Sequence, residues 1–176
     1  AGRLQSLCLA GNGLATEGAD LLFAALATHP ALTALDVQDN HIGHIGARHA
    51  AKMLQTNRHL ETLNMAKNSI GDEGLRWLLP SFGLNVSLRH LDLKGNNLGS
   101  EHASRLAAIM SETVVYRVID TAHNRRGCPE RFLSPVAEAE RDEIKGVRPK
   151  TIERLPTLPQ AKRSPRRAGT MPRRPS

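Results

Sequence analysis

A chain of 176 residues is long enough for one domain, and its 40% hydrophobic and 3% aromatic content predicts a core of aliphatic side chains. The formal charge of +7 is uneven: residues 1–140 carry 13 Lys/Arg and 14 Asp/Glu, whereas residues 141–176 carry 11 Lys/Arg and 3 Asp/Glu, a local net charge of +8 (11 minus 3). Two distant cysteines exclude a disulfide framework and indicate a reducing intracellular compartment, and no apolar run is long enough to span a bilayer.

A motif of the form L-x-x-L-x-L-x-x-N-x-L recurs every 28 residues along the chain. Its alternating apolar positions predict a short strand with one face turned inward. The asparagine follows the strand, where its amide can bond the backbone of adjacent turns, so the motif predicts an internal asparagine ladder. The copies are Leu4-Leu7-Leu9-Asn12-Leu14, Leu32-Leu35-Val37-Asn40-Ile42, Leu60-Leu63-Met65-Asn68-Ile70, Leu88-Leu91-Leu93-Asn96-Leu98 and, more weakly, Tyr116-Ile119-Thr121-Asn124.

The second half of each repeat has helical periodicity. A glycine opens three of the predicted helices, and the small residues after it suggest close packing of helix against strand. Because one strand–turn–helix unit cannot bury its apolar face alone, successive units are expected to stack. The predicted buried positions are Ala19, Leu22, Ala25 and Leu26, then Ala47, Ala50, Met53 and Leu54, then Leu75, Leu78 and Phe82, then Ala103, Leu106, Ile109 and Met110, and the opening residues are Gly18, Gly46, Gly74 and, in the fourth repeat, His102.

The repeat length of 28 and the segment 88–99, which reads Leu-Arg-His-Leu-Asp-Leu-Lys-Gly-Asn-Asn-Leu-Gly, resemble the ribonuclease-inhibitor class of leucine-rich repeats. The resemblance covers about residues 1–126 and implies an α/β solenoid with a curved parallel sheet inside and helices outside. Relatives of this class include Ran GTPase-activating proteins, the repeat domains of nucleotide-binding immune receptors and several ciliary proteins. Because the class serves many partners, it implies a fold more than a function.

Three segments are predicted along the chain. Residues 1–126 hold about 4.5 repeats, and further repeats or a partner are expected upstream because the first residues already form a repeat strand. Residues 127–147 break the pattern, and Ser134-Pro135 predicts a short helix over residues 136–145 that covers the last repeat. Residues 148–176 contain six of the ten prolines and are predicted to form a basic extended tail.

The strand residues between the inward positions are predicted to face the concave surface. The middle column there comprises Cys8, Asp36, Asn64, Asp92 and Asp120, and adjacent strands lie about 4.8 Å apart. Asp92 and Asp120 are therefore expected to repel each other. Such a column is either an acidic stripe that receives a basic partner segment or a solvated, mildly acidic face. The candidate partner-binding residues are Asp36, Asn64, His90, Asp92, Lys94 and Asp120.

The predicted tail is the second candidate binding surface. Its positive charge could neutralise RNA phosphates, bind an acidic protein surface such as the carboxylate-rich tails of tubulin, or simply keep the end of the chain soluble. No aromatic residue separates the arginine pairs, so base stacking is not indicated. The candidate tail residues are Arg163, Arg166, Arg167, Arg173 and Arg174.

No catalytic site, metal site or cofactor is predicted. An open sheet supplies no pocket for paired carboxylates, and His41, His44 and His49 lack a nearby cysteine and do not obviously converge on a metal. In Ran GTPase-activating proteins a loop arginine has been assigned to catalysis. Among the residues just after the ladder asparagines only Arg125 is basic, and it lies in the most degenerate repeat; these residues are Gly13, His41, Ser69, Asn97 and Arg125.

The sequence therefore predicts a non-catalytic scaffold for protein–protein interaction. Its expected setting is a large cytoplasmic or cytoskeletal assembly, for which the resemblance to ciliary proteins suggests an axoneme, with the tail as an anchor. Two alternatives are a regulator of a small GTPase and an RNA-associated subunit of the ribosomal type. No membrane and no small-molecule substrate are expected as partners.

Overall fold

A computed structural model describes residues 4–100, 102–112, 118–125 and 130–133 of the chain. In these residues short strands alternate with helices in the order that the repeats predict. The strands are β1 (Ser6–Cys8), β2 (Ala34–Asp36), β3 (Thr62–Asn64), β4 (His90–Asp92), β5 (Val118–Asp120) and β6 (Arg131–Leu133), and the helices are α1 (Ala15–Leu26), α2 (Gly43–Thr56), α3 (Gly71–Leu84) and α4 (Ala103–Glu112).

All six strands form one sheet in chain order. Strands β1 to β5 are parallel, and each residue pairs with the residue 28 positions later, so Leu35 lies beside Leu63 and Leu63 beside Leu91. This arrangement confirms the α/β leucine-rich repeat solenoid. The antiparallel strand β6 was not predicted, and it covers the edge of β5 that would otherwise expose unpaired backbone groups. The helix predicted over residues 136–145 lies outside the described residues.

The core is aliphatic and lies between the sheet and the helices. The central residues of β2 to β5, namely Leu35, Leu63, Leu91 and Ile119, are at most 2% exposed. The predicted inward faces of α2 and α3 are confirmed. The prediction for α1 was partly wrong: Phe23 occupies the core beside Ala19 and Leu26, Leu22 is only half-buried and Ala25 is exposed. Phe23 follows Ala19 by four residues, so it shares the same helix face.

The predicted asparagine ladder is present and connects the repeats. The Asn68 side chain is fully buried, and its Oδ1 accepts hydrogen bonds from the N–H groups of Asn40 (3.0 Å) and Ile42 (3.3 Å). Its Nδ2 donates to the carbonyl oxygens of Val37 (2.9 Å) and Ala66 (3.1 Å). One side chain thus satisfies buried backbone groups in two successive repeats, which no strand ladder reaches.

A second ladder, which sequence reasoning missed, lies where each helix turns back toward the next strand. The Asn57 Nδ2 donates to the carbonyl oxygen of Leu26 at 2.8 Å, and its Oδ1 accepts from the N–H of Leu60 at 2.8 Å. Asn85 repeats this pattern, and His29 Nδ1 accepts from the N–H of Leu32 at 3.0 Å. His29, Asn57 and Asn85 are spaced 28 residues apart, and this spacing could have predicted the second ladder from the sequence.

Two glycines set the distance between adjacent helices. A Cβ built on Gly74 would lie 3.1 Å from the His44 Cα and 3.1 Å from the Ala47 Cβ, both on α2. It would also lie 2.3 Å from the Ile70 Cγ2 in its own repeat, and Gly46 meets Ile42 in the same way. The tight contact shown here is between helices, whereas the sequence suggested close packing of helix against strand. A larger residue at Gly74 would force α2 and α3 apart.

Candidate protein-binding face

The strands place the predicted columns of side chains on the open face of the sheet. In β2, β3 and β5 the central residue is buried and its two neighbours are half-buried, and in β4 His90 is exposed while Asp92 is half-buried. The register brings Asp36, Asn64, Asp92 and Asp120 side by side in one row across four strands. The face therefore presents an open row of polar groups rather than a pocket.

Each side chain of this middle row is held by the backbone of its own repeat. One side-chain oxygen accepts a hydrogen bond from the N–H group two positions later, in the form of an Asx turn. This bond orients the side chain and ends the strand, so part of the acidic character of the row has a structural purpose. The four bonds are Asp36 Oδ1 with Gln38 (2.9 Å), Asn64 Oδ1 with Ala66 (3.0 Å), Asp92 Oδ1 with Lys94 (2.9 Å) and Asp120 Oδ1 with Ala122 (3.3 Å).

A cation bridges the two aspartates that were expected to repel each other. The Lys94 Nζ lies 3.3 Å from Asp92 Oδ2 and 2.9 Å from Asp120 Oδ2. Arg131 in β6 adds a second cation, with its guanidinium nitrogen 3.2 Å from Asp120 Oδ2. The expected repulsion between Asp92 and Asp120 is therefore offset, because Lys94 just after β4 and Arg131 in β6 supply positive charge. The two cations balance the two carboxylates at this end of the face.

The network changes the ionisation of both bridging groups. Partial burial alone would raise the pKa of Asp120, but hydrogen bonds from Lys94, from the Ala122 N–H and from Arg131 outweigh it and hold that pKa below its usual range. Partial burial likewise opposes the charge on Lys94, yet its contacts with Asp120 and Asp92 raise the pKa of the ammonium group. Both groups are therefore charged throughout the neutral range.

Replacing Lys94 with glutamine is expected to lower the free energy of unfolding near neutral pH by about 0.5–1 kcal/mol, since the pairs are partly exposed. The pKa of Asp120 is lower in the folded chain than in the unfolded chain, so its ionised form stabilises the fold at pH values above the unfolded-chain pKa. This contribution is lost as the pH falls through the pKa of Asp120 in the folded chain. The difference from the wild type should therefore disappear in acid. Thermal unfolding over an acidic-to-neutral pH series measures it, and a constant difference at every pH would contradict the bridge.

The other half of the face has a different character. Asp36 forms no ion pair with any residue that the structure describes, and Cys8 beside it is exposed. The Asn64 Nδ2 donates to Gln38 Oε1 at 3.3 Å. Partial burial and, to a lesser degree, the charge of Arg89 lower the pKa of His90, although Glu61 opposes this, so its imidazole is neutral at pH 7. The uncompensated negative charge of the row is thus concentrated at Asp36.

Arg125, the residue that the Ran GTPase-activating resemblance singles out, is held by its own chain. Its Nε donates to the carbonyl oxygen of Asn97 at 2.8 Å, and its guanidinium also bonds the Asp72 carboxylate. Asp72 in turn accepts a hydrogen bond from the N–H of Gly99 at 2.7 Å. This arginine ties three turns of neighbouring repeats together.

Two of the histidines considered as metal ligands pair with carboxylates instead. In the described parts of the chain no cluster of His, Cys, Asp and Glu could hold a metal ion. His44 lies 3.8 Å from Glu73, and His49 Nδ1 lies 2.6 Å from Asp20.

Among the helices that the structure describes, none combines the length and apolar character that crossing a bilayer requires. The tail residues Arg163, Arg166, Arg167, Arg173 and Arg174 lie outside the described residues.

A groove of about 360 Å³ lies where the helices lead into the strands. Three successive repeats line it, and its charged members include Arg58, Glu61 and Arg89. Sites for small molecules are usually concave and mostly apolar, with few polar groups. A charged groove open to solvent does not indicate such a site.

The helical side carries exposed apolar residues that the sequence-based search did not consider. Leu21 and Trp77 are 75% and 45% exposed, and Ile45 is 46% exposed. Leu84 and Val86 are also exposed, and Val86 lines the groove. Trp77 is the single tryptophan of the chain. It lies outside the periodic apolar positions Leu75, Leu78 and Phe82 that α3 buries, and this offset could have predicted its exposure.

Comparisons with known proteins agree with this geometry. The sequence pattern described as Leucine Rich repeat matches residues 28–48, 56–78 and 84–107. Among solved structures, the chain is similar to Leiomodin-1 Actin-Binding Site 2 (ABS2), with a TM-score of 0.59 and 15% sequence identity over 65% of this chain and 68% of that one. At this identity the likeness concerns the fold alone. No curated protein matches the sequence.

Proposed function

Because the chain is a leucine-rich repeat protein, we propose that it is a non-catalytic scaffold that binds another protein on the concave face of its sheet. The observation that carries this proposal is the row from Asp36 to Asp120, in which the backbone fixes every side chain before a partner arrives. A surface whose side chains are already ordered loses little conformational entropy on binding.

The charges of the face indicate which part of a partner it receives. Lys94 and Arg131 compensate Asp92 and Asp120, whereas Asp36 retains an uncompensated charge among the described residues. A partner segment with a basic residue opposite β2 and neutral polar groups opposite β4 and β5 would complement this row. His90, neutral at pH 7, adds no competing positive charge.

The setting that we propose is a large intracellular assembly in which the basic tail is a second anchor. The tail, residues 148–176, has a net charge of +8 (9 basic minus 1 acidic), which suits an acidic surface. The structural neighbour is an actin-binding site, which is compatible with a cytoskeletal assembly. The more specific proposal of a ciliary axoneme is based on the family resemblance alone.

The concave face is tested by removing the Asp36 charge while keeping its structural bond. In Asp36→Asn the side-chain oxygen can still accept from Gln38, as Asn64 does from Ala66 in the next repeat. We expect the recovery of a reproducible set of partners from native extract to fall about two- to fivefold, the range for an exposed charge pair. The measurement is quantitative mass spectrometry of captured proteins. Undiminished capture would contradict docking at Asp36.

Glu17→Gln is the matched control, because Glu17 is an exposed carboxylate on α1 and the substitution removes the same charge. It should leave capture unchanged. A version ending at Gly146 tests the tail in the same assay, and partners lost with the tail identify it as an anchor. Release of those partners by ribonuclease would favour an RNA-associated subunit instead. Capture of one small GTPase together with faster GTP hydrolysis would replace the scaffold with a regulator.

A further inference from the structure

The outer side of the solenoid carries an exposed tryptophan that lies under an arginine of the preceding helix. Trp77 lies on α3 with its side chain 45% exposed, and the guanidinium carbon of Arg48 on α2 lies 5.4 Å from its ring centroid. Arg76 precedes it, and Arg105 on α4 occupies the equivalent position one repeat later. With the exposed Ile45, these residues form a surface that we call the Trp77 patch: Ile45, Arg48, Arg76, Trp77 and Arg105.

The Trp77 patch carries three positive charges. Arg48, Arg76 and Arg105 are all exposed, and none forms an ion pair with a residue that the structure describes. Two carboxylates of the helical side lie beside histidines instead: Glu73 on α3 is 3.8 Å from His44, and Asp20 on α1 is 2.6 Å from His49. Three adjacent helices therefore each present an exposed arginine that no described carboxylate pairs with, and one of these arginines lies over the Trp77 ring.

We propose that the Trp77 patch docks a carboxylate-rich segment of a partner protein that also carries an apolar side chain. Tryptophan and arginine are the residues most enriched where binding energy concentrates in protein interfaces. The three guanidinium groups complement carboxylates, and the ring together with Ile45 offers an apolar surface. This surface is separate from the concave face, so the inference goes beyond the function proposed above.

The geometry favours a protein segment over a nucleic acid. Binding to single strands relies on aromatic faces on which bases stack. Arg48 covers one face of the only tryptophan ring of the chain, and Ile45, three residues before Arg48 on α2, adds an exposed aliphatic side chain. Aliphatic surface next to arginines suits an acidic peptide with a leucine or similar residue, whereas it adds nothing to the recognition of phosphates.

Trp77 provides its own assay, because it is the only tryptophan in the chain. The full chain is titrated with an end-blocked glutamate-rich peptide that has two central leucines, and tryptophan emission is recorded. We expect a saturable blue shift that weakens as salt screens the charges. Arg48→Gln, Arg76→Gln and Arg105→Gln should each weaken peptide affinity about two- to fivefold, the range for an exposed charge pair.

Arg89→Gln is the matched control, because Arg89 is exposed, lines the groove rather than the Trp77 patch and loses the same charge. It should not change the affinity that Trp77 reports, and neither should Asp36→Asn on the concave face. An unchanged emission spectrum at saturating peptide, or an equal loss in Arg89→Gln, would overturn the proposal. A larger saturable shift with polyadenylate RNA at equal charge concentration would overturn it in favour of a nucleic acid.

Discussion

Replacing Asn68 with alanine is expected to lower the free energy of unfolding by about 3–4 kcal/mol, because each buried polar group left without a partner costs about 1–3 kcal/mol. Asn68 is fully buried, and the substitution removes the acceptor of the N–H groups of Asn40 and Ile42. It also removes the donor to the carbonyl oxygens of Val37 and Ala66.

Asn12→Ala is the matched control for Asn68→Ala. Asn12 belongs to the same ladder but is exposed, and its amide donates only to the carbonyl oxygen of Ala10, at 3.3 Å, among the described bonds. Solvent can replace that bond, so a loss below about 1 kcal/mol is expected. Equal losses in the two variants would show that the ladder acts through something other than buried hydrogen bonds.

Denaturant unfolding followed by circular dichroism measures these differences, and hydrogen exchange locates them. The amide hydrogens of Asn40 and Ile42 donate to Asn68 Oδ1, so their protection should fall first in Asn68→Ala. The described bonds of the Asn68 side chain all lie within the second and third repeats, so protection in the fourth repeat should fall less. Unchanged protection at Asn40 and Ile42 would refute the assignment of these bonds.

Gly74→Ala is expected to destabilise the chain by about 2–3 kcal/mol, as overpacking of a tight core site usually does. The new methyl group would lie 3.1 Å from the His44 Cα, and this backbone atom cannot yield unless α2 moves. The Ile70 Cγ2 at 2.3 Å would also have to shift. The intrinsic preference of alanine for helices, at most about 1 kcal/mol, opposes this loss without cancelling it.

Gly83→Ala supplies the control on the same helix. No atom lies within 4 Å of a Cβ at Gly83, so alanine there should stabilise the chain by up to about 1 kcal/mol. The melting temperatures of the two variants should therefore move in opposite directions from the wild type. Stabilisation by both substitutions would mean that α2 and α3 separate without penalty, which contradicts the role of Gly74 in their spacing.

The functional residues were less predictable than the fold. The columns on the sheet follow from strand alternation, so Asp36, Asn64 and Asp92 could be placed on one face from the sequence. The pairing of Asp120 with Lys94 and Arg131 could not, since it depends on the reach of a lysine from the end of β4 to the adjacent strand and on a strand outside the repeats. Trp77 was missed because Arg48, the arginine over its ring, comes from another helix.

The sequence by itself determined the parallel solenoid, its register and its asparagine ladder. Each repeat contacts the next at equivalent positions, so a period of 28 residues in the chain becomes the same neighbour relation in space. Only the tertiary structure decided what lies where that symmetry fails. Strand β6 closes one edge of the sheet, and the Trp77 patch joins side chains of three helices that differ from repeat to repeat. These features depend on distances between individual atoms, which no period in the sequence encodes.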